Sequence, residues 1–489
     1  MTQPLPVAAL FRRGVECQSQ NRMPEAAQWF FQVLRAEPKH FEALYNLGLL
    51  LQRMNQRDGA MACYQQALAL RPDFAPAWNN LGVAYRDAGR WTDAIACYRR
   101  ALRLQPDTPD TCNNLGNALR TEDQLAEAIH LLEKSVRLAP ANPRVWHNLG
   151  NARREAGRLE EATAAFEQAL ALAPDLAEAH WDLAFALLLH GRWSRGWAEY
   201  EWRWRRPDIV RRAFLQPEWR GEDLTGKTIL VHAEQGLGDT LQFSRYLPLV
   251  AKTAGRLLFE CPPAVAGLME SIEGVAQVLR KGEPLPDFDL HAPLLSLPHC
   301  FQTQVETVPG LAPRRAGVST RTLLPPPAVH DAPLKVGLAW AGNPNHVNDR
   351  RRSLPPRFLE PLLREPGVAF YRLQVGRAGD WAAPSLSVPP PVDLRPLIRD
   401  FVDTAALMGQ LDLIISVDTS TAHLAGFLGR PVWTLLPFAP DWRWLLGRSE
   451  TPWYPTMCLL RQPRPGDWAS VIEEVRSLLR QRVSEVGRP

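Results

Sequence analysis

Apolar and polar positions across the first two hundred residues recur with one fixed period. Leu47, Leu81, Leu115 and Leu149 stand 34 residues apart, each inside Asn-Leu-Gly and followed by Gly48, Gly82, Gly116 and Gly150. Ala60, Ala94, Ala128 and Ala162 keep the same spacing, as do Pro72, Pro106, Pro140 and Pro174. Two amphipathic stretches per period predict stacked helical hairpins, an α-solenoid in which each hairpin buries its apolar face only against its neighbours. Glycine and alanine mark where paired helices approach closely. The leucines fill the seam, with Tyr64, Tyr98, Leu132 and Phe166 opposite. Proline cannot continue a helix and so begins the following unit. The array spans 7–210, with full units at 41–74, 75–108, 109–142 and 143–176, a degenerate leading unit at 7–40 and a trailing one at 177–210.

Near residue 225 the pattern changes to short apolar runs alternating with helical stretches. Runs at 228–232, 257–261 and 275–279 predict buried parallel strands in a lobe over 220–320. Runs at 335–340, 370–375, 411–418, 432–437 and 458–461 predict a second lobe over 333–482, closed by an amphipathic helix at 469–482. Pro325, Pro326 and Pro327 fall in the linker between them. The expected fold is an α-solenoid followed by an α/β module of two Rossmann-like lobes, with a cleft at the strand carboxyl ends.

Composition narrows the function classes. The chain has 489 residues, too many for one compact domain, and 56 Lys+Arg against 52 Asp+Glu leave a net +4. That surplus is too diffuse for a nucleic-acid surface. Seven cysteines, never spaced CxxC, fit a reducing compartment and argue against structural zinc. No apolar run approaches the roughly 20 residues that span a bilayer, so a cytoplasmic protein with no transmembrane segment is expected. Tryptophan is dense in GRWSRGWAEYEWRWR at 191–205, where Trp193, Trp197, Tyr200, Trp202 and Trp204 form an aromatic face. It reads as a cap docking the array onto the next domain, or else as a platform for stacking sugars.

Several motifs carry candidate chemistry. GEDLTGKT at 221–228 matches a P-loop in letters, but a strand follows it where a helix is required, so it reads as a turn. His232-Ala233-Glu234 has the HxE of zinc deaminases without their PCxxC, and is set aside. The strand at 228–232 runs into Gln235-Gly236-Leu237-Gly238-Asp239 and then a helix. Gly236 and Gly238 allow close backbone approach to a ligand, and the helix start favours an anion. Asp239 with Gln242 also fits a capping box. Asp418, Thr419, Ser420 and His423 turn from a buried strand into a small-residue helix, gathering hydroxyls and N–H groups suited to a diphosphate or to sugar hydroxyls, or serving as a cap alone. Trp340, Gly342 and Asn343 follow another strand end, and Arg350, Arg351 and Arg352 come next, a fork matched to phosphate oxygens.

The repeats resemble the tetratricopeptide family. Asn46, Asn80, Asn114 and Asn148 share the sixth repeat position, on the helix that lines the concave groove in that family. An amide ladder there can hold a peptide backbone, as in the arm of protein O-GlcNAc transferase, which this arm resembles; alternatively Asn is simply common at that position. In the second half, GLGD at 236–239 and SVDTSTAHLAGFLGRPV at 416–432 resemble the ADP-heptose:lipopolysaccharide heptosyltransferases, glycosyltransferase family nine, of GT-B fold. The resemblance covers about 220–480. The whole layout resembles bacterial tetratricopeptide-containing glycosyltransferase-like proteins, and DWRWLLGRSETPWYP at 441–455 departs from the heptosyltransferases.

The resemblance implies a metal-independent, inverting glycosyltransferase with a nucleotide-sugar as substrate and no further cofactor. Asp239 would be the general base. Gly236, Gly238, Trp340, Gly342, Asn343, Arg351, Arg352, Asp418, Thr419, Ser420 and His423 would hold the donor, while the groove would recruit a protein or peptide acceptor. A tetratricopeptide adaptor with a non-catalytic GT-B module, and an enzyme like protein O-GlcNAc transferase, are the alternatives.

Overall fold

The computed structural model describes residues 5–312, 323–326, 332–346, 348–376 and 389–486; Pro327 of the expected linker lies outside them. The chain divides into two compact units, Met1–Ala179 and His180–Pro489.

The first unit is built of antiparallel helix pairs: α1 Val7–Ser19 and α2 Met23–Ala36, α3 Phe41–Arg53 and α4 Arg57–Leu70, α5 Ala75–Asp87 and α6 Trp91–Leu104, α7 Pro109–Thr121 and α8 Leu125–Leu138, α9 Pro143–Glu155 and α10 Leu159–Leu172. A Cβ added to Gly48, Gly82, Gly116 or Gly150 would lie between 2.5 and 2.7 Å from Tyr64, Tyr98, Leu132 or Phe166 of the partner helix. No larger side chain fits without moving the facing ring or leucine, which is why the period preserves glycine there. Ala60, Ala94, Ala128 and Ala162 are fully buried in the same seam. The periodic prolines lie in the turns between repeats, and Pro76, Pro109 and Pro143 stand in the first turn of α5, α7 and α9, where a missing N–H costs nothing.

The second unit begins within α11 (Ala177–Leu189) and continues through α12 (Trp193–Tyr200) and a 3-10 turn, Glu201–Arg205. Two parallel sheets follow. The first holds β1 Thr228–His232, β2 Arg256–Cys261, β3 Gln277–Arg280 and β4 Leu290–Pro293, in the order β3-β2-β1-β4. Helices α13 Leu237–Phe243, α14 Leu247–Thr253, α15 Pro263–Met269 and α16 Leu297–Cys300 accompany it. Where sequence suggested one helix after β1, Pro248 starts α14 as a separate segment. GEDLTGKT is a turn leading into β1.

The second sheet holds β5 Leu334–Ala339, β6 Val368–Arg372, β7 Val392–Asp393, β8 Leu413–Val417, β9 Val432–Leu436 and β10 Met457–Arg461, in the order β10-β9-β8-β5-β6-β7. Helices α17 Asp349–Arg352, α18 Leu359–Leu363, α19 Phe401–Met408, α20 Ser420–Phe427 and α21 Trp468–Val486 complete it. This is the doubly wound order, in which strand succession reverses between β5 and β8 and opens a crevice at their carboxyl ends. The apolar pattern did not reveal β4 or β7: β4 reads Leu-His-Ala-Pro, and β7 is two residues long. No described helix is long and apolar enough to cross a membrane.

Candidate functional site

Both reversal points of the second unit carry the turns singled out in the sequence. After β1 the chain enters α13, whose amino end is capped by Gly236 with Asp239 as the third helical residue; Gly236 N–H donates to Asp239 Oδ2 at 2.9 Å. The box therefore sits one turn earlier than the Asp239–Gln242 pairing suggested. After β8, Thr419 caps α20, its Oγ1 accepting from Thr421 N–H at 3.3 Å and lying 3.2 Å from Ser416 Oγ. After β5, Trp340 and Ala341 N–H groups donate to Gln374 Oε1 at 3.1 and 2.9 Å, and Gly342 N–H donates to Ser353 Oγ at 2.9 Å.

Helices α13 and α20 pack directly against each other, so the two lobes meet at these turns. A Cβ on Gly238 would lie 2.7 Å from the His423 ring. The space that glycine leaves is therefore filled by a histidine of the other lobe rather than kept for a ligand. Gly236 likewise faces its own cap carboxylate, 3.2 Å from where a Cβ would stand. His423 is buried, with Nδ1 3.0 Å from Tyr454 Oη and its ring stacked on Trp444 at 5.3 Å. Burial, then the charges of Arg443, Arg245 and Arg352, push its pKa well down and keep it neutral.

Asp239 meets an unexpected partner. Its Oδ1 pairs with Arg443 Nη2, from the 441–455 segment. Arg443 also donates from Nε to Gln242 Oε1 and from Nη1 to Asp441 Oδ1, each at 2.8 Å, and its guanidinium lies 4.4 Å over the Trp442 ring. Although burial opposes the charge, Asp441 and Asp239 outweigh it and hold Arg443 all the more firmly protonated. The turn that aims it is strained, since Leu445 is held at φ 51°, a region leucine rarely adopts. Asp418 follows β8 with its side chain 14% exposed and Oδ1 3.9 Å from His423 Nε2. Burial and the neighbouring Asp441 carboxylate push its pKa up to about 6.

The remaining expected donor residues divide. Trp340 is buried in the core of the second sheet with Leu354 and Leu359. Asn343 is exposed. Gly342 lies beneath Arg352 and Asp349: a Cβ there would come within 2.5 Å of Arg352 Nη2 and 2.6 Å of Asp349 Oδ1. Arg352 itself reaches Asp349 Oδ1 at 3.4 Å. Arg351 and Ser420 are half-buried. Among the described residues no three His, Cys, Asp or Glu side chains group as metal ligands.

The aromatic segment docks. Trp193 stacks on Trp453 at 5.2 Å, Trp197 meets Trp442 edge-on at 5.2 Å, and Trp197 Nε1 donates to Thr303 O at 2.9 Å. With Trp193 and Trp197 fully buried, neither ring is open to a sugar. Beside them, Arg203 is fully buried and donates to Glu201, Glu234 and Ser296, joining the 3-10 turn to the ends of β1 and β4.

In the first unit the amide ladder is already occupied in part. Asn80 Nδ2 donates to Tyr45 Oη at 3.1 Å, Asn114 Nδ2 to Asn79 Oδ1 at 3.1 Å and Asn148 Nδ2 to Asn113 Oδ1 at 2.8 Å. Each staples its repeat to the one before. Asn46, in the same register, is half-buried.

Sequence reasoning missed Arg443, Asp441 and Gln374, and took Gln242 only for a capping partner of Asp239. An arginine alternating with tryptophans in Asp-Trp-Arg-Trp was the available signal for Arg443, because a cation in so apolar a segment needs buried carboxylates nearby.

Fold and site together define a tetratricopeptide-containing chain whose second unit holds two parallel α/β lobes, the second of them doubly wound. Comparison with known proteins bears on the first part. A tetratricopeptide repeat family model matches residues 45–109 and 81–143, and a TPR repeat model matches 150–191. Protein FlbA of Caulobacter vibrioides is 30% identical over 343 residues, which cover 63% of this chain and 55% of that protein. The chain thus spans about half the length of this curated relative, and the match is longer than the first unit, so it reaches into the second. Among solved structures, MamA from Desulfovibrio magneticus RS-1 is similar at 21% identity, covering 35% of this chain and 98% of that one, with a TM-score of 0.34. YrrB, described as a TPR protein with an unusual peptide-binding site, is similar at 22% identity over 37% of this chain and 94% of that one, with a TM-score of 0.33.

Proposed function

We propose that the second unit is a GT-B, sugar-nucleotide-dependent glycosyltransferase of the heptosyltransferase type, and that the repeat groove recruits its acceptor, a protein or peptide. One observation carries the reading: the turns at 236–239 and 418–423 stand at the reversal points of two parallel sheets and face each other through α13 and α20. Crevices of this kind bind nucleotides, and helix amino ends with an arginine nearby neutralise a departing diphosphate without a metal ion. Arg352, over Gly342, and Arg443 supply positive charge beside Asp418. A peptide held in the groove would take the amide N–H and C=O capacity that the inter-repeat staples leave over.

The adaptor reading draws support from a different observation, the Arg443 pairing that occupies Asp239. Release of nucleoside diphosphate from a panel of sugar nucleotides separates the two. The transferase reading expects release with one nucleotide class, whereas binding of a nucleotide without release from any donor sinks catalysis and leaves the adaptor.

A further inference from the structure

We propose that Asp418, not Asp239, accepts the proton of the attacking hydroxyl, an inference that rests on the transferase reading above. The geometry of the two carboxylates points to it. Asp239 has both oxygens engaged, Oδ2 by the Gly236 N–H at 2.9 Å and Oδ1 by Arg443. Arg443 is in turn fixed by Gln242, Asp441 and the Trp442 ring. An acceptor hydroxyl approaching Asp239 would compete with these two donors for its oxygens.

Asp418 stands differently. It lies at the carboxyl end of β8, beside the reversal point, and is no more exposed than Asp239, at 14% against 20%. His423 Nε2 at 3.9 Å is too far for a hydrogen bond, and the Trp444 indole lies beside the carboxyl. Among the described residues no arginine is paired with it as Arg443 is paired with Asp239. The charges around it are Asp441, which disfavours ionisation, and Arg352 and Arg443, which favour it; His423 is neutral. Burial and Asp441 prevail and raise its pKa to about 6, a basicity suited to accepting a proton near neutrality. Two carboxylates where the lobes meet thus have separate parts, one tied to Arg443 and to its own helix cap, the other without such a tie and with a raised pKa.

The step balances. As the acceptor oxygen bonds to the anomeric carbon, its proton passes to an Asp418 oxygen. The bond from that carbon to the diphosphate oxygen breaks, and its electron pair leaves with the nucleoside diphosphate.

The test uses the full chain and a sugar nucleotide that it turns over, with water as acceptor, and follows nucleoside diphosphate release from pH 5 to 9. Asp418→Asn is expected to lower kcat about 100-fold or more, with KM for the donor within about threefold, and to abolish the acid limb near pH 6. Asp239→Asn is expected to lower the rate less and to keep that limb. Nucleoside diphosphate binding by calorimetry checks that each variant retains its crevice. Loss of the limb in Asp239→Asn together with its retention in Asp418→Asn would overturn the assignment. A wild-type chain silent with every donor is a separate outcome, which overturns the transferase reading and this assignment with it.

Discussion

The two units reach their stability by different routes. In the first, every decisive contact is local and repeated: a glycine against the ring or leucine of its own hairpin, an asparagine against the repeat before it. In the second, the decisive contacts join distant segments. Arg443 reaches Asp239 across 204 positions and Gln242 across 201, and Trp197 reaches Thr303 across 106. Damage to a repeat should therefore stay near that repeat, whereas damage to the Arg443 cluster should loosen both lobes together.

The largest expected effect tests that contrast. Arg443→Met leaves the Asp239 and Asp441 carboxylates without their cation, and removing one member of a buried pair costs about 3–5 kcal/mol. Chemical denaturation should show the second unit's transition moving to lower denaturant while the first unit's stays in place; a shift of both, or of neither, breaks the comparison.

Next comes the pH dependence tied to Asp418. Its pKa rises from 3.8 to about 6 on folding, so between those values the native state binds more protons than the unfolded state. Stability is therefore greatest below about pH 4 for this group and falls as pH rises through about 6, by on the order of 3 kcal/mol. Asp418→Asn should flatten that slope in unfolding curves recorded between pH 4 and 7, and an unchanged slope would mean another group carries it.

Matched glycine substitutions sharpen the contrast at smaller cost. Gly238→Ala drives a Cβ into His423, and Gly82→Ala drives one into Tyr98, each costing about 1–3 kcal/mol by overpacking. The first should raise hydrogen exchange on both sides of the lobe contact, in α13 and α20. The second should raise it only in α5, α6 and their immediate neighbours. Smallest is Asn114→Ala, which removes one staple to Asn79 and should cost about 0.5–1.5 kcal/mol, read as a modest fall in the first unit's denaturation midpoint.

The same difference explains what could be read from the sequence. A period of 34 announces itself because each contact recurs, so the glycine–ring pairing of Gly82 with Tyr98 is visible before any coordinates. Strand ends in the second unit were legible too, because buried runs such as Leu413–Val417 finish at turns rich in glycine, aspartate and hydroxyls. Short or polar strands such as β4 and β7 were not, since pairing rather than composition makes them strands. Partnership was the least legible feature. Nothing near Asp239 announces Arg443, and nothing near Gly238 announces His423, because the ring and the cation arrive from the other lobe. The staples of Asn80, Asn114 and Asn148 lay in plain view as a ladder, yet their bonding to the repeat before depends on hydrogen-bond direction, which letters do not carry.

The most direct measurement is hydrogen–deuterium exchange on the full chain with and without a nucleoside diphosphate. Protection is expected in peptides spanning 334–344 and 413–424, at the carboxyl ends of β5 and β8, with exchange in the helices of Met1–Ala179 unchanged. Protection absent from both peptides at saturating adenosine, uridine and guanosine diphosphates, or confined to the repeat helices, would contradict a donor site at that crevice.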